Sequence, residues 1–146
     1  MPTTHRGGCL CGAIRYEIAA EPMMAGQCQC RDCQHETGGG HASFMALPAD
    51  AVKLTGTPRF YEVRADSGNM VRRGFCPTCG SPVVGGSSGM PGMTTIAAGS
   101  LDDPSLFKPQ FVVYTSRGHA WDLVDPELPS YPAMPPRGGA AEQPAG

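Results

Sequence analysis

Seven cysteines fall into three groups along the chain: Cys9-x-Cys11, Cys28-x-Cys30-x-x-Cys33 and Cys76-x-x-Cys79. Two cysteines one or two residues apart can grip a single ion from one turn, and thiolate sulfur suits zinc above most metals. Cys76-Pro77-Thr78-Cys79-Gly80 is a half-site of this kind, with glycine where the backbone must fold around the sulfurs. It needs two further ligands. Cys9 and Cys11, distant in sequence, can supply them, and the joined site would staple the N-terminal strand to the middle of the chain as a structural zinc. The competing reading is a dithiol redox pair, which usually sits at a helix start after a strand. Pro82 and a glycine-rich stretch follow Cys79 instead, which favours zinc.

Cys28, Cys30 and Cys33 then stand alone. Three protein ligands with an exchangeable fourth position are the arrangement of a catalytic zinc. A histidine closing the set, His35 or His41, would make the site structural instead. Three anionic sulfurs leave the metal a poor generator of hydroxide but a good holder of another soft ligand. The expected chemistry is therefore capture of a substrate thiol, with or without polarisation of a neighbouring carbonyl. Arg31, inside the motif, can offset the excess negative charge or be an ordinary surface arginine. Gly38-Gly39-Gly40 can present backbone N–H groups to an anionic or peptide-like ligand, although such a run is more often only a loop. His5, Tyr114, His119 and Trp121 can each touch a substrate, but none carries weight singly.

The elements that must position these groups read as short strands. The chain has 146 residues, one domain's worth, with 20 Gly and 15 Pro, which disfavour long helices. Ala13–Ile18 alternates apolar and polar side chains directly after the first cysteine pair. Similar runs cover residues 42–47, 59–63, 69–75, 94–98 and 111–114, which predicts a mainly antiparallel β domain. Residues 28–37 read as a helical turn ended by the glycine run, Pro48–Val52 as a short helix, and Gly85–Gly92 as a mobile loop. The domain is expected over 1–125. Residues 126–146 form a C-terminal extension, Pro-, Gly- and Ala-rich and disordered toward its end.

The N-terminus has no apolar signal core, and no stretch approaches a membrane span, so a soluble, cytoplasmic protein is expected. In a reducing cytosol, closely spaced cysteines are metal ligands or redox groups rather than structural disulfides. A formal charge of −2, with no basic run beyond Arg72-Arg73, argues against a nucleic-acid partner.

With these residues in hand, the chain resembles the glutathione-dependent formaldehyde-activating family, which also includes centromere protein V. The likeness runs through Gly8–Tyr16, Cys28–Cys33, Phe75–Pro82 and Gly99-Ser100-Leu101-Asp102-Asp103-Pro104. It implies a β-tent fold of antiparallel sheets clamped by a structural zinc on Cys9, Cys11, Cys76 and Cys79. It also implies a second, catalytic zinc on Cys28, Cys30 and Cys33, the expected catalytic residues. The implied activity is that of a carbon–sulfur lyase acting on glutathione and formaldehyde, in the manner of S-(hydroxymethyl)glutathione synthase. Family members often carry histidine where this chain has Gln29, which brings proton handling beside the zinc into question. Arg31, Arg72, Arg73 and Arg117 are the candidates to anchor glutathione carboxylates. Two readings compete with the enzyme: a non-catalytic zinc-binding β module for a protein or small ligand, and a thiol redox protein.

Overall fold

The computed structural model describes residues 4–135. Along the chain lie β1 (His5–Gly8), β2 (Arg15–Ile18), β3 (Met24–Cys28), α1 (Arg31–Thr37), β4 (Ala42–Pro48), β5 (Val52–Thr55), β6 (Arg59–Arg64), β7 (Met70–Phe75), β8 (Pro82–Ser87), β9 (Met93–Ala97) and β10 (Val112–Val113). Short 3-10 turns occupy Ala49–Ala51, Ala98–Ser100, Pro104–Leu106 and Thr115–Arg117. The fold is mainly β, as expected. Among the described residues, no helix is long and apolar enough to cross a membrane.

The chain divides into two compact units, each discontinuous in sequence: the first runs up to Met24 and resumes over Phe44–Phe107, and the second joins Ala25–Ser43 to the chain from Lys108 onward. In the first unit, β2 is flanked by β1 and β5 in an antiparallel sheet, and β4, β9, β8, β7 and β6 follow one another in a second antiparallel array. Ile14, Tyr16, Ile18, Met45, Leu47, Val83 and Ile96 are buried there almost completely. Their alternation with exposed neighbours along β2 is the period-two signature of a strand with one face in the core.

Tyr16 shows how the family-like stretch at 99–104 contributes. Its hydroxyl meets Ser100 Oγ at 2.7 Å, and Ser100 Oγ donates to Ala97 O at 2.7 Å. Leu101 is buried and bridges Gly7, while Asp102 takes both guanidinium NH groups of Arg15, one at 2.9 Å. Burial pushes the Tyr16 phenol up to about 12, against the weaker opposing pull of the Ser100 hydroxyl.

In the second unit, β3 and β10 pair in parallel, with Gln27 opposite Val112 and Cys28 opposite Val113. This is a parallel pair within a mainly antiparallel set, and it arises because β10 returns to β3 along a separate segment rather than through a hairpin. Residues 129–131 continue the arrangement: Val112 N–H donates to Pro129 O, and Tyr131 N–H donates to Val112 O. The tail expected to be disordered lies, from residue 136, outside the described residues.

Other expectations shift in detail. β2 starts at Arg15 rather than Ala13, because Ile14 is still engaged in the cysteine turn through its N–H to Cys9 Sγ. Residues 85–87, read as loop, belong to β8. Gly85 lies where a Cβ would come within 2.7 Å of Arg72 O, so glycine there marks the close approach of β7 rather than a turn. Replacing Tyr16 with Phe is expected to cost about 1 kcal/mol in urea denaturation at neutral pH through loss of the Ser100 bond. A phenol whose pKa is raised on folding contributes stability that is complete below its unfolded value, about 10, and is lost as pH rises through about 12. The gap between wild type and Tyr16→Phe should therefore shrink across that alkaline window, measured by the same denaturation at stepped pH.

Candidate metal centres

Four of the cysteines converge in the first unit. Cys9 and Cys11 lie on the loop between β1 and β2, and Cys76 and Cys79 lie on the turn between β7 and β8. Their Sγ atoms all fall within 4.8 Å of one another, with Cys9–Cys11 and Cys11–Cys76 separations of 3.7 Å. Four sulfurs at zinc–sulfur distance on a tetrahedron are about 3.8 Å apart, so the donor set fits zinc. None of the seven cysteines is in a disulfide.

Backbone amides converge on the sulfurs. Ile14 N–H donates to Cys9 Sγ at 3.2 Å, and Thr78 and Cys79 N–H donate to Cys76 Sγ at 3.4 and 3.5 Å. Gly80, at φ 79, closes the second turn and returns its N–H to Cys76 O at 2.8 Å. Ser81 Oγ accepts Leu10 N–H at 3.1 Å and lies 3.2 Å from Cys79 Sγ, latching one cysteine turn to the other. That hydroxyl, more than any other group, draws the Cys79 thiol down to about 5. Cys11 is pushed the other way, to about 11: the Ala13 amide lowers it, but burial and the sulfurs of Cys9, Cys76 and Cys79 together outweigh that amide. Crowded sulfurs cannot all be anionic without a cation among them, which is what a metal-ligand cluster requires.

The other three converge in the second unit. Cys28 ends β3, Cys30 is the N-cap of α1 and Cys33 lies in its first turn; their Sγ atoms are again within 4.8 Å of one another. Cys30 Sγ accepts Cys33 N–H at 3.3 Å. Cys28 and Cys33 are buried and Cys30 is partly exposed, so access to the trio is at Cys30. The sulfurs of Cys30 and Cys33, more than burial, push the Cys28 thiol far up, which again is relieved by a cation. The strand-then-helix setting that marks redox pairs thus belongs to Cys30-x-x-Cys33 and not to Cys76-x-x-Cys79.

Among the described residues, no histidine joins the trio. His35 Nε2 faces Arg31 at 3.4 Å. His41 is held at both ring nitrogens: Nδ1 lies 2.8 Å from Asp122 Oδ1, and Nε2 lies 3.2 Å from Gln27 Nε2. Because a carboxylate only accepts, Nδ1 carries the proton and Nε2 accepts from Gln27.

Two of the groups that hold the motif, Gln34 and Asp122, are ones the sequence did not single out. Gln34 is buried, and its Nε2 donates to Gln29 O at 2.8 Å and Arg117 O at 3.0 Å. Its Oε1 accepts from His119 Nε2 at 3.0 Å and from Arg31. Gln29, also buried, donates from Nε2 to Asp122 Oδ2 at 3.1 Å. Burial works to raise the Asp122 carboxyl, yet His41 and Gln29 together hold it below the usual carboxylate range. Gln29 therefore meets a structural carboxylate. Trp121, largely exposed, stacks on His119 at 5.1 Å. The glycine run divides: Gly38 caps α1 through its N–H to Gln34 O, and Gly40 is buried. Arg72 lies over the Phe60 ring and pairs with Glu62.

A crystal structure of a Rhodobacter sphaeroides protein is similar at a TM-score of 0.53, with 19% identity over 66% of this chain and 87% of that one, a likeness of fold alone. No functionally curated protein matches. The family described as glutathione-dependent formaldehyde-activating enzyme matches residues 4–117, a span that holds all seven cysteines. The chain belongs to that family.

Proposed function

We propose that the chain is a zinc-dependent carbon–sulfur lyase that joins a thiol of the glutathione type to a small aldehyde, or releases it. The observation that carries this reading is the three-sulfur group of Cys28, Cys30 and Cys33: three donors, no histidine among them, and a partly exposed edge at Cys30. Cys9, Cys11, Cys76 and Cys79 would hold the first, structural zinc that clamps a β-tent. The pairing of two antiparallel arrays in the first unit, with the four sulfurs joining a loop of one to a turn of the other, supports that fold.

When bound at the trio, zinc supplies a Lewis acid with an affinity for a further sulfur. The chain's own part is to bind and orient. Cys30, at the accessible edge, sets where a substrate thiol arrives. Arg31 flanks the motif with its guanidinium on Gln34 Oε1, and its positive charge suits a carboxylate of a glutathione-like thiol; Arg117, whose carbonyl accepts from Gln34 Nε2, is the next candidate. In the synthetic direction a carbon–sulfur bond forms at the carbonyl carbon. The carbonyl π electrons move to oxygen, which takes a proton in exchange for the one the thiol gives up, so no oxidant or reductant is consumed. Holding both reactants in one orientation is the main source of acceleration for such an addition.

The placement of Cys30-x-x-Cys33 at a strand-to-helix junction favours a second reading, a dithiol redox pair. Native mass spectrometry separates the two: zinc at both clusters agrees with the lyase, and protein that takes up no second zinc but forms a Cys30–Cys33 disulfide agrees with the redox pair. Cys30→Ser should retain one zinc and its fold while thiol–aldehyde turnover, followed by NMR exchange between free and adduct aldehyde, falls to background. Cys76→Ser should lose the structural zinc and unfold cooperatively by circular dichroism, because metal binding at a closed site is folding free energy.

A further inference from the structure

The geometry points to Asp122 as the positioning residue of the three-cysteine site, acting through Gln29 from the face opposite Cys28. This rests on the reading of Cys28, Cys30 and Cys33 as metal ligands.

Gln29 is the residue between two of those ligands, and its backbone N–H, its carbonyl and its side-chain N–H are each tied. Its N–H donates to Val113 O at 3.0 Å, continuing the ladder of β3 with β10, and its carbonyl accepts from Gln34 Nε2 at 2.8 Å. Its side-chain amide donates to Asp122 Oδ2. In extended chain successive side chains project to opposite faces, so Gln27 and Gln29 share a face and Cys28 lies on the other. The hydrogen bonds agree: Gln27 reaches His41, Gln29 reaches Asp122, and His41 and Asp122 bond to each other. Ser43 Oγ accepts the second Gln27 N–H at 3.2 Å, so the amide of Gln27 is spent on holding His41.

Asp122 is the hub. One oxygen takes Gln29 and both approach His41 Nδ1, at 2.8 and 2.9 Å. The space around it is closed: a Cβ at Gly40 would overlap the Asp122 side chain, and a Cβ at Gly118 would come within 2.8 Å of the Gln29 amide. A second tie reaches the motif from His41, since Thr37 Oγ1 lies 3.2 Å from His41 O and 3.0 Å from Cys33 O. Removing the carboxylate frees the Gln29 side chain in a buried place, and the Cys28-x-Cys30 turn loses its fixed geometry. Hydrogen-bonded partners behind a metal's ligands commonly change its affinity by about 10- to 100-fold.

The test compares wild type with Asp122→Ala and the isosteric Asp122→Asn as full-length, zinc-loaded chains. Zinc at each cluster is measured by chelator competition, and the cobalt-substituted trio by its sulfur-to-cobalt absorption and d–d bands. Asp122→Ala should weaken the second zinc about tenfold or more, broaden the cobalt d–d bands and leave the first zinc in place; Asp122→Asn should recover part of the affinity. Second-zinc affinity and cobalt spectra unchanged in Asp122→Ala would overturn the inference. If Asp122→Ala does not fold, Asp122→Asn decides: an altered cobalt spectrum with the first zinc retained supports the role, and a wild-type spectrum and affinity overturn it. A wild-type chain that holds no second zinc would instead overturn the metal reading itself.

Discussion

Sulfur crowding is the constraint on which the rest depends. Four sulfurs lie within 4.8 Å of one another in the first unit and three in the second, with no disulfide to relieve them. Thiolates at such distances repel strongly, and neutral thiols would gain little from being gathered there. Cys11 expresses that tension: against the lowering pull of the Ala13 amide, burial and the sulfurs of Cys9, Cys76 and Cys79 push its thiol up to about 11. A divalent cation removes it, and each surrounding amide that points at a sulfur then stabilises the charge it carries.

Each cluster is built differently around that constraint. The four-sulfur group is held by short backbone turns and by Ser81, which touches both Leu10 and Cys79. Its sulfurs need little beyond their own loops. The three-sulfur group is held by side-chain amides: Gln34 satisfies the carbonyls of Gln29 and Arg117, and Gln29 leans on Asp122. Buried polar groups of this kind are costly unless every member is paired, and here the pairing runs directly into the backbone of the ligand turn.

The strands with clean alternation, such as β2, and those rich in β-branched or aromatic residues, such as β6, were legible from residue order. Strands made of other material were not. β1 is His-Arg-Gly-Gly, β3 is Met-Ala-Gly-Gln-Cys, and β8 ends in Gly-Gly-Ser. Their glycines accommodate close neighbours: Gly7 lies against Tyr16, Gly26 against Phe111 and Gly85 against Arg72. A propensity argument reads the same glycines as turns, because the neighbour that makes them necessary is distant in sequence.

What the sequence determined by itself was the donor chemistry. Cysteines one or two residues apart are held near each other by the chain's own geometry, so the candidate donors and their grouping into two pairs and a trio needed no fold. Tertiary structure decided what surrounds them. Asp122 lies 93 residues from Gln29 and Gln34 lies 83 from Arg117, and neither partnership leaves a local pattern. Which histidine was available was likewise decided there: His41 has no sequence feature that spends its ring nitrogens, and only the approach of Asp122 and Gln27 does so. Hydrogen bonds act over about 3 Å of space regardless of distance along the chain, so the candidate donors were written in sequence and their support in the fold.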